Sequence, residues 1–220
     1  MSTDKEIVIS YFPIRGRAEP IRLLLEDMGV PYRNEPVDIK QWRKIKAETP
    51  FGKVPLYHEG QLEIAESHAI MRHLARRYDL YGNDELEGTR CDVVQEVLHD
   101  AVEQFAELMW NPDFAQVRDD FIQKRLRPML TNLQQYLQDA DGSPVHWVGR
   151  GNTFVDYIGY VWLDMVRALA KEVLQEFPRL WNLYQEFEKR PRIRAYLESD
   201  RRYPTITLAM AYFGNTPETS

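Results

Sequence analysis

Tyr11 closes an apolar run, Glu6–Phe12 (EIVISYF), and is followed closely by Pro13-Ile14-Arg15-Gly16-Arg17. A strand that ends in a Pro/Gly loop and opens a helix delivers side chains to a sheet edge, where α/β proteins keep their sites. A tyrosine hydroxyl there can donate a hydrogen bond to an anion, or serve as a half-buried packing group. A second candidate is Thr49-Pro50-Phe51-Gly52-Lys53-Val54-Pro55. A Val-Pro step opening a strand suits a cis peptide in a tight turn, although trans is the commoner isomer. Such a bend leaves the N–H and C=O of Val54 open to an extended ligand backbone. The third is Glu66-Ser67, just ahead of a helical pattern. Ser67 can cap that helix, whose first free N–H groups make an anion site, and Glu66 offers a carboxylate to an ammonium. An N-cap with nothing bound is the plain alternative. Thr153 and Asp156, three apart, have capping-box spacing and are read as structural, with loss of such a cap costing ~1 kcal/mol.

These residues need elements to position them. Glu6–Phe12 reads as a strand and Ala18–Met28 as a helix, with Pro20 in its first turn and Gly29 as its stop. Pro31–Val37 is a weak strand, Gln41–Glu48 a short helical stretch, and Val54–Tyr57 a strand. His58-Glu59-Gly60-Gln61 turns into a further strand, Leu62–Ile64. Ser67–Arg77 is an amphipathic helix. The order β-α-β-α-β-β-α predicts a small α/β sandwich on a mixed sheet. Residues 79–89 are polar and read as a linker. Beyond them the pattern is helical throughout: 90–139, a break at Asp141-Gly142-Ser143-Pro144, then Thr153–Val173, Pro178–Lys189 and Pro191–Ser199. Two domains are expected, 1–82 and an all-α 90–220. Arg190, Arg192, Arg194, Arg201 and Arg202 form the densest basic cluster and, interleaved with acids, read as a solvated face.

Composition narrows the function. With 44% apolar residues among 220, the chain can build a real core. Lys+Arg number 28 against 34 Asp+Glu, and the net charge of −6 argues against nucleic acid as a partner. No apolar run approaches the ~18 residues of a membrane span. The opening residues are too charged for a signal peptide. A single cysteine, Cys91, fits a reducing compartment and excludes an intrachain disulfide or a Cys-rich zinc site. The five histidines form no HExxH, so no metal is expected.

Taken together, Tyr11-Phe12 with Arg15-Gly16-Arg17-Ala18-Glu19, Trp42 with Lys46, Pro50 to Pro55, Glu66-Ser67-His68-Ala69-Ile70 with Arg72-His73-Leu74, and Thr153 with Asp156 resemble the cytosolic glutathione S-transferases of the tyrosine-using group. The sigma and pi classes are nearest, and the likeness runs through essentially the whole chain. It implies a thioredoxin-like first domain that binds glutathione, a helical second domain that completes an apolar pocket, and conjugation of the glutathione thiolate to hydrophobic electrophiles. By that resemblance Tyr11 donates its hydroxyl to the glutathione sulfur, and Arg17 supports it. A thiol of pKa ~8.5 is only about 3% ionised at pH 7. Lowering it by about two units takes roughly 2.7 kcal/mol, the size of a hydrogen bond to an ionised group, ~1.5–3 kcal/mol.

The resemblance further implies that Trp42 and Lys46 meet the glycyl carboxylate and that Val54, beside a cis Pro55, pairs with the cysteinyl backbone. Ser67 and Glu66 would grip the γ-glutamyl end, with Asp100 reaching it from a partner subunit. Phe51 would be the aromatic key of a cytoplasmic homodimer. Phe12, Ile14, Met109, Trp110 and Trp162, with the segment Leu208–Phe213, are the expected walls of the electrophile pocket. Lys53 and Glu66 stand where these classes usually carry glutamine, and bear on affinity for glutathione rather than on the reaction type. Two other readings share the family: a glutathione-dependent isomerase of the prostaglandin D synthase kind, and a non-catalytic carrier or crystallin. A thiol-disulfide enzyme is rejected, because it needs a reactive cysteine at the start of the first helix.

Overall fold

A computed structural model describes residues 5–139 and 145–216. The expected break at 141–144 lies outside the described residues. Strand β1 (Ile7–Tyr11) leads through a 3-10 turn (Gly16–Ala18) into helix α1 (Glu19–Met28), then β2 (Tyr32–Pro36). A short helix α2 (Trp42–Ile45) and two 3-10 turns precede β3 (Leu56–Glu59), β4 (Leu62–Ala65) and α3 (Ser67–Arg77). The sheet order is β2-β1-β3-β4, parallel between β1 and β2 and antiparallel in the other pairs. That is the predicted mixed sheet. β1 is central, and its Ile7 and Ile9 are buried in the core. Helix α1 stops at Gly29, which takes a left-handed φ of 67°. Its Ile21, Leu23, Leu24 and Leu25 are wholly buried, because α1 meets α3 on one side and α7 and α9 on another.

The rest is helical: α4 (Glu85–Met109), α5 (Phe114–Phe121), a π-helical turn (Ile122–Leu126), α6 (Arg127–Asp139), α7 (Phe154–Gln175), α8 (Pro178–Glu188) and α9 (Pro191–Leu197). The stretch read as a linker is shorter than expected. Asp84 caps α4, accepting the Glu87 N–H at 2.8 Å, while Glu87 Oε2 accepts the Asn83 N–H at 2.8 Å. Five residues of the polar stretch are therefore helical. The Thr153/Asp156 capping box forms at the start of α7, and the Asp156 carboxylate also accepts the Trp147 N–H at 3.0 Å.

The basic cluster departs from its reading as a solvated face. Arg202 is mostly buried between Glu19 and Asp164, Arg190 pairs with Asp27, Arg201 with Glu26, and Arg192 donates to the Asp27 carbonyl at 3.0 Å. Of the five, Arg194 alone is held by a neighbour on its own helix, Glu198. The acidic partners lie on α1 and α7, far away in sequence. The cluster therefore clamps the chain's last helix and tail onto the sheet-bearing part.

Candidate active site

Two clefts meet at the C-terminal end of β1. The first, about 590 Å³, is polar and runs along Tyr11, Arg17, Trp42, Lys46, Lys53, Val54, Pro55, Glu66 and Ser67, with His99 and Glu103 of α4 on its far side. The second, about 260 Å³, is apolar and lies between the β1–α1 loop and helices α3, α4 and α7, closed by 206–208. Tyr11, Phe12, Arg17, Ser67 and His99 face both.

Tyr11 is placed by the end of β1 and held by the loop that follows. Its hydroxyl accepts the Arg17 N–H at 3.1 Å, leaving its own proton for a ligand. Gly16 makes this approach possible: a Cβ there would lie 2.6 Å from the hydroxyl oxygen, and its φ is +42°. Burial raises the Tyr11 pKa above its ordinary value, against the lowering pull of the Arg17 N–H and of the Arg17 and Arg22 charges. The group is therefore a neutral donor at pH 7. The Arg17 side chain turns away to pair with Glu103.

Along the polar cleft, Trp42 of α2 packs edge-on against Phe12, ring centroids 5.4 Å apart. The peptide between Val54 and Pro55 is cis. Ladder pairing of β3 begins only at Leu56, and the Val54 N–H and C=O take no backbone partner among the described residues. They are free to pair with an extended ligand. Ser67 is not the cap of α3, as the sequence had suggested; it is the first helical residue. Glu66 occupies the cap position at φ 66° and ψ 113° and makes no side-chain cap bond. A non-glycine residue at positive φ in a cleft is a strained conformation of the kind found at ligand sites. Glu66 and Ser67 both line the polar cleft, beside the free N–H groups of the helix start.

Of the expected apolar walls, Phe12, Ile14, Met109, Trp110 and Leu208 line the second cleft. Trp162 does not: it is 0% exposed in the helical core. The reason is helical phase. Ile158, Val161 and Met165 of α7 face the pocket at i, i+3, i+7, while Trp162, about 100° from Val161 and about 40° beyond Ile158, falls past the edge of that face and packs inside the helical part. Phe213 is also off the pocket, stacked on Phe114 with centroids 5.5 Å apart. Several walls were missed: Met71, Val102, Ala106, the three α7 residues, Ile206 and Thr207. The 3.6-residue period shows that these helices have apolar faces, but not which neighbour each face meets. Asp100 lies outside both clefts, on a groove of about 690 Å³ between α4 and α6. Among the described residues, no group of three or more His, Cys, Asp or Glu side chains is placed to hold a metal. Nor is any helix long and apolar enough to cross a membrane.

The family model for the glutathione S-transferase N-terminal domain matches residues 7–76, and that for the C-terminal domain matches 99–200. A glutathione S-transferase of Dirofilaria immitis is 33% identical over 188 residues, 86% of this chain and 90% of that protein. Glutathione S-transferase P of Caenorhabditis elegans is 34% identical over 189 residues, again 86% and 90%. Among solved structures, the pi-class glutathione S-transferase of Onchocerca volvulus superposes with a TM-score of 0.87 at 28% identity, covering 94% of this chain and 99% of that one. Rat hPGDS, complexed with a quinoline, gives 0.82 at 28% identity, covering 92% and 100%. The chain belongs to the glutathione S-transferase family, and its sheet-bearing and helical parts are those of an enzyme that takes glutathione as co-substrate.

Proposed function

We propose that Tyr11 donates its hydroxyl to the glutathione sulfur and holds it as thiolate, for attack on a hydrophobic electrophile in the apolar pocket. The observation that carries this reading is the position of Tyr11: a buried, protonated hydroxyl, backed by the Arg17 N–H, at the junction of the two clefts. Arg17 acts by positioning Tyr11.

The polar cleft suits a tripeptide with charged ends. Trp42 and Lys46 meet the glycyl carboxylate, and Lys53 adds a further cation to the same cleft that bears on affinity. Val54, ahead of Pro55, pairs with the cysteinyl backbone. Ser67 holds the γ-glutamyl carboxylate, and Glu66 faces its ammonium. We take the two domains to span 1–82 and 90–220. A homodimer is the assembly: Phe51 is 81% exposed, and the apolar groove that carries Val93, Val97, Met129, Leu133 and Tyr136 is a fitting seat for Phe51 of a second copy. Asp100 on that groove then reaches the other copy's glutathione. A reduced interior such as the cytoplasm is the setting, and detoxification of electrophiles the role. Cys91 is buried, which pushes its thiol up to about 12, so it does not compete as a nucleophile.

The test is conjugation of glutathione to chlorodinitrobenzene by wild type and Tyr11→Phe. The variant should lose roughly 10- to 100-fold in kcat/KM, the worth of one hydrogen bond to an anion, with glutathione Kd nearly unchanged. An undiminished rate would remove Tyr11 from the mechanism. The likeness to rat hPGDS favours a second reading, a glutathione-dependent isomerase on the same Tyr11. Wild type that binds glutathione but leaves chlorodinitrobenzene untouched would bring that reading forward.

A further inference from the structure

Two histidines stand at the seam between the clefts with no part in the chemistry above. His68 of α3 and His99 of α4 face each other edge to face, ring centroids 5.0 Å apart at 77°. Both line the apolar pocket, and His99 also lines the polar cleft. His99 Nδ1 is buried without a hydrogen bond and lies 3.9 Å from Glu103 Oε1. Glu103 is paired with Arg17, whose N–H bonds the Tyr11 hydroxyl. The other charges near the pair are Glu96 and Arg72, bonded to each other at 2.8 Å, with Lys53 acting on Glu103. Burial, and then His99 beside it, push His68 down to about 4. His68 is therefore neutral at pH 7, and a proton on His99 meets no like charge from it.

Among the polar groups lining the apolar pocket, Tyr11 is committed to sulfur, the Arg17 guanidinium is paired with Glu103, and the Ser67 and Thr207 hydroxyls do not ionise near neutrality. The imidazoles are the side chains there suited to proton exchange. We propose that His99, backed by His68, is a general acid for addition of glutathione across polarised double bonds, as in α,β-unsaturated carbonyls. The proposal rests on the transferase reading. The thiolate sulfur bonds to the β-carbon, the C=C pair moves to give an enolate, and imidazolium His99 gives the enolate its proton. The proton lost when the thiol ionised returns to His99 through water, so thiol and enone leave as one neutral thioether. Displacement of chloride from chlorodinitrobenzene needs no such proton, and this difference makes the role measurable.

The experiment compares kcat for nonenal with kcat for chlorodinitrobenzene in wild type, His99→Gln and His68→Gln. The same thiolate attacks in both reactions, so their ratio cancels the thiolate population and the folded fraction. General acid catalysis contributes about 10²- to 10⁴-fold, so the ratio should fall by about 100-fold in His99→Gln and by less in His68→Gln. If His99→Gln does not fold, His99→Asn replaces it. A ratio that stays at the wild-type value overturns the proposal. Wild type without activity on chlorodinitrobenzene would instead strike at the transferase reading beneath it.

Discussion

The polar cleft and the apolar pocket share five residues and are otherwise built in opposite ways. Apart from His99 and Glu103, the polar cleft is made by the first 67 residues, in short runs that each carry their own local geometry. The apolar pocket is assembled from the β1–α1 loop, three helices and the 206–208 segment, brought together only by packing. On the proposed reading, the polar cleft meets one fixed ligand of charged ends and extended backbone, for which local motifs suffice. The apolar pocket is a surface of convergence, whose shape depends on how the helical part docks.

That docking runs through buried charge. Asp164 of α7 accepts from Arg15 Nη1 at 2.7 Å and Arg202 Nη2 at 2.8 Å, and Arg15 Nη2 donates to the Pro204 carbonyl at 2.7 Å. The Arg15 and Gly16 N–H groups then bond the Thr205 and Ile206 carbonyls, seating the pocket wall beside Tyr11. Asp164→Ala should therefore have the largest effect. Removing one member of a buried ion network costs about 3–5 kcal/mol, read as a lower urea midpoint. Its electrophile KM should also rise far more than its glutathione KM. An equal rise in both would break the contrast between the clefts. Burial works to raise the Asp164 pKa, but Arg202 and Arg15 outweigh it and hold the carboxylate below its usual range. The folded pKa is depressed, so this stability is present above the ordinary carboxylate pKa near ~4 and is lost as pH falls through the folded value. Acid titration of wild type against Asp164→Ala should show that loss in wild type only.

A smaller effect is expected within each cleft. Met165→Trp fills the pocket from α7 and should raise electrophile KM by about 10-fold, with glutathione KM nearly constant; overpacking costs ~1–3 kcal/mol. Lys46→Ala removes one exposed cation from the polar cleft and should raise glutathione KM by about 3-fold without moving electrophile KM, in line with the ~0–1 kcal/mol of exposed charge pairs. Steady-state kinetics with each substrate varied in turn distinguishes these outcomes. A Lys46→Ala effect on electrophile KM would show the clefts to be coupled beyond their shared residues.

The same contrast marks what could be read from the chain alone. The Tyr11–Arg17 loop, the Val54–Pro55 bend, the hairpin and α3 were legible because strand, turn and helix signals lie within a few residues of one another. Glu66 and Ser67 were found, but their roles at the helix start were shifted by one residue, since nothing in the sequence announces a positive φ at a glutamate. The start of α4 was missed although Asp84 and Glu87 carry a capping signal, because the glycines around them read as a linker. Trp162 was misplaced by one step of helical phase. His68 and His99, 31 positions apart, gave no sign of meeting.

The amino-acid sequence by itself determined the order of elements, the mixed sheet, most of the residues that line the polar cleft, and the family. Spacing governs local backbone geometry, and local geometry places groups on a strand end or a helix start. Only the tertiary structure decided which charges went inside and which apolar faces became a pocket. An arginine at 202 is exposed or buried according to whether Glu19 and Asp164 are there to receive it, and those carboxylates come from helices that meet only when the chain is folded.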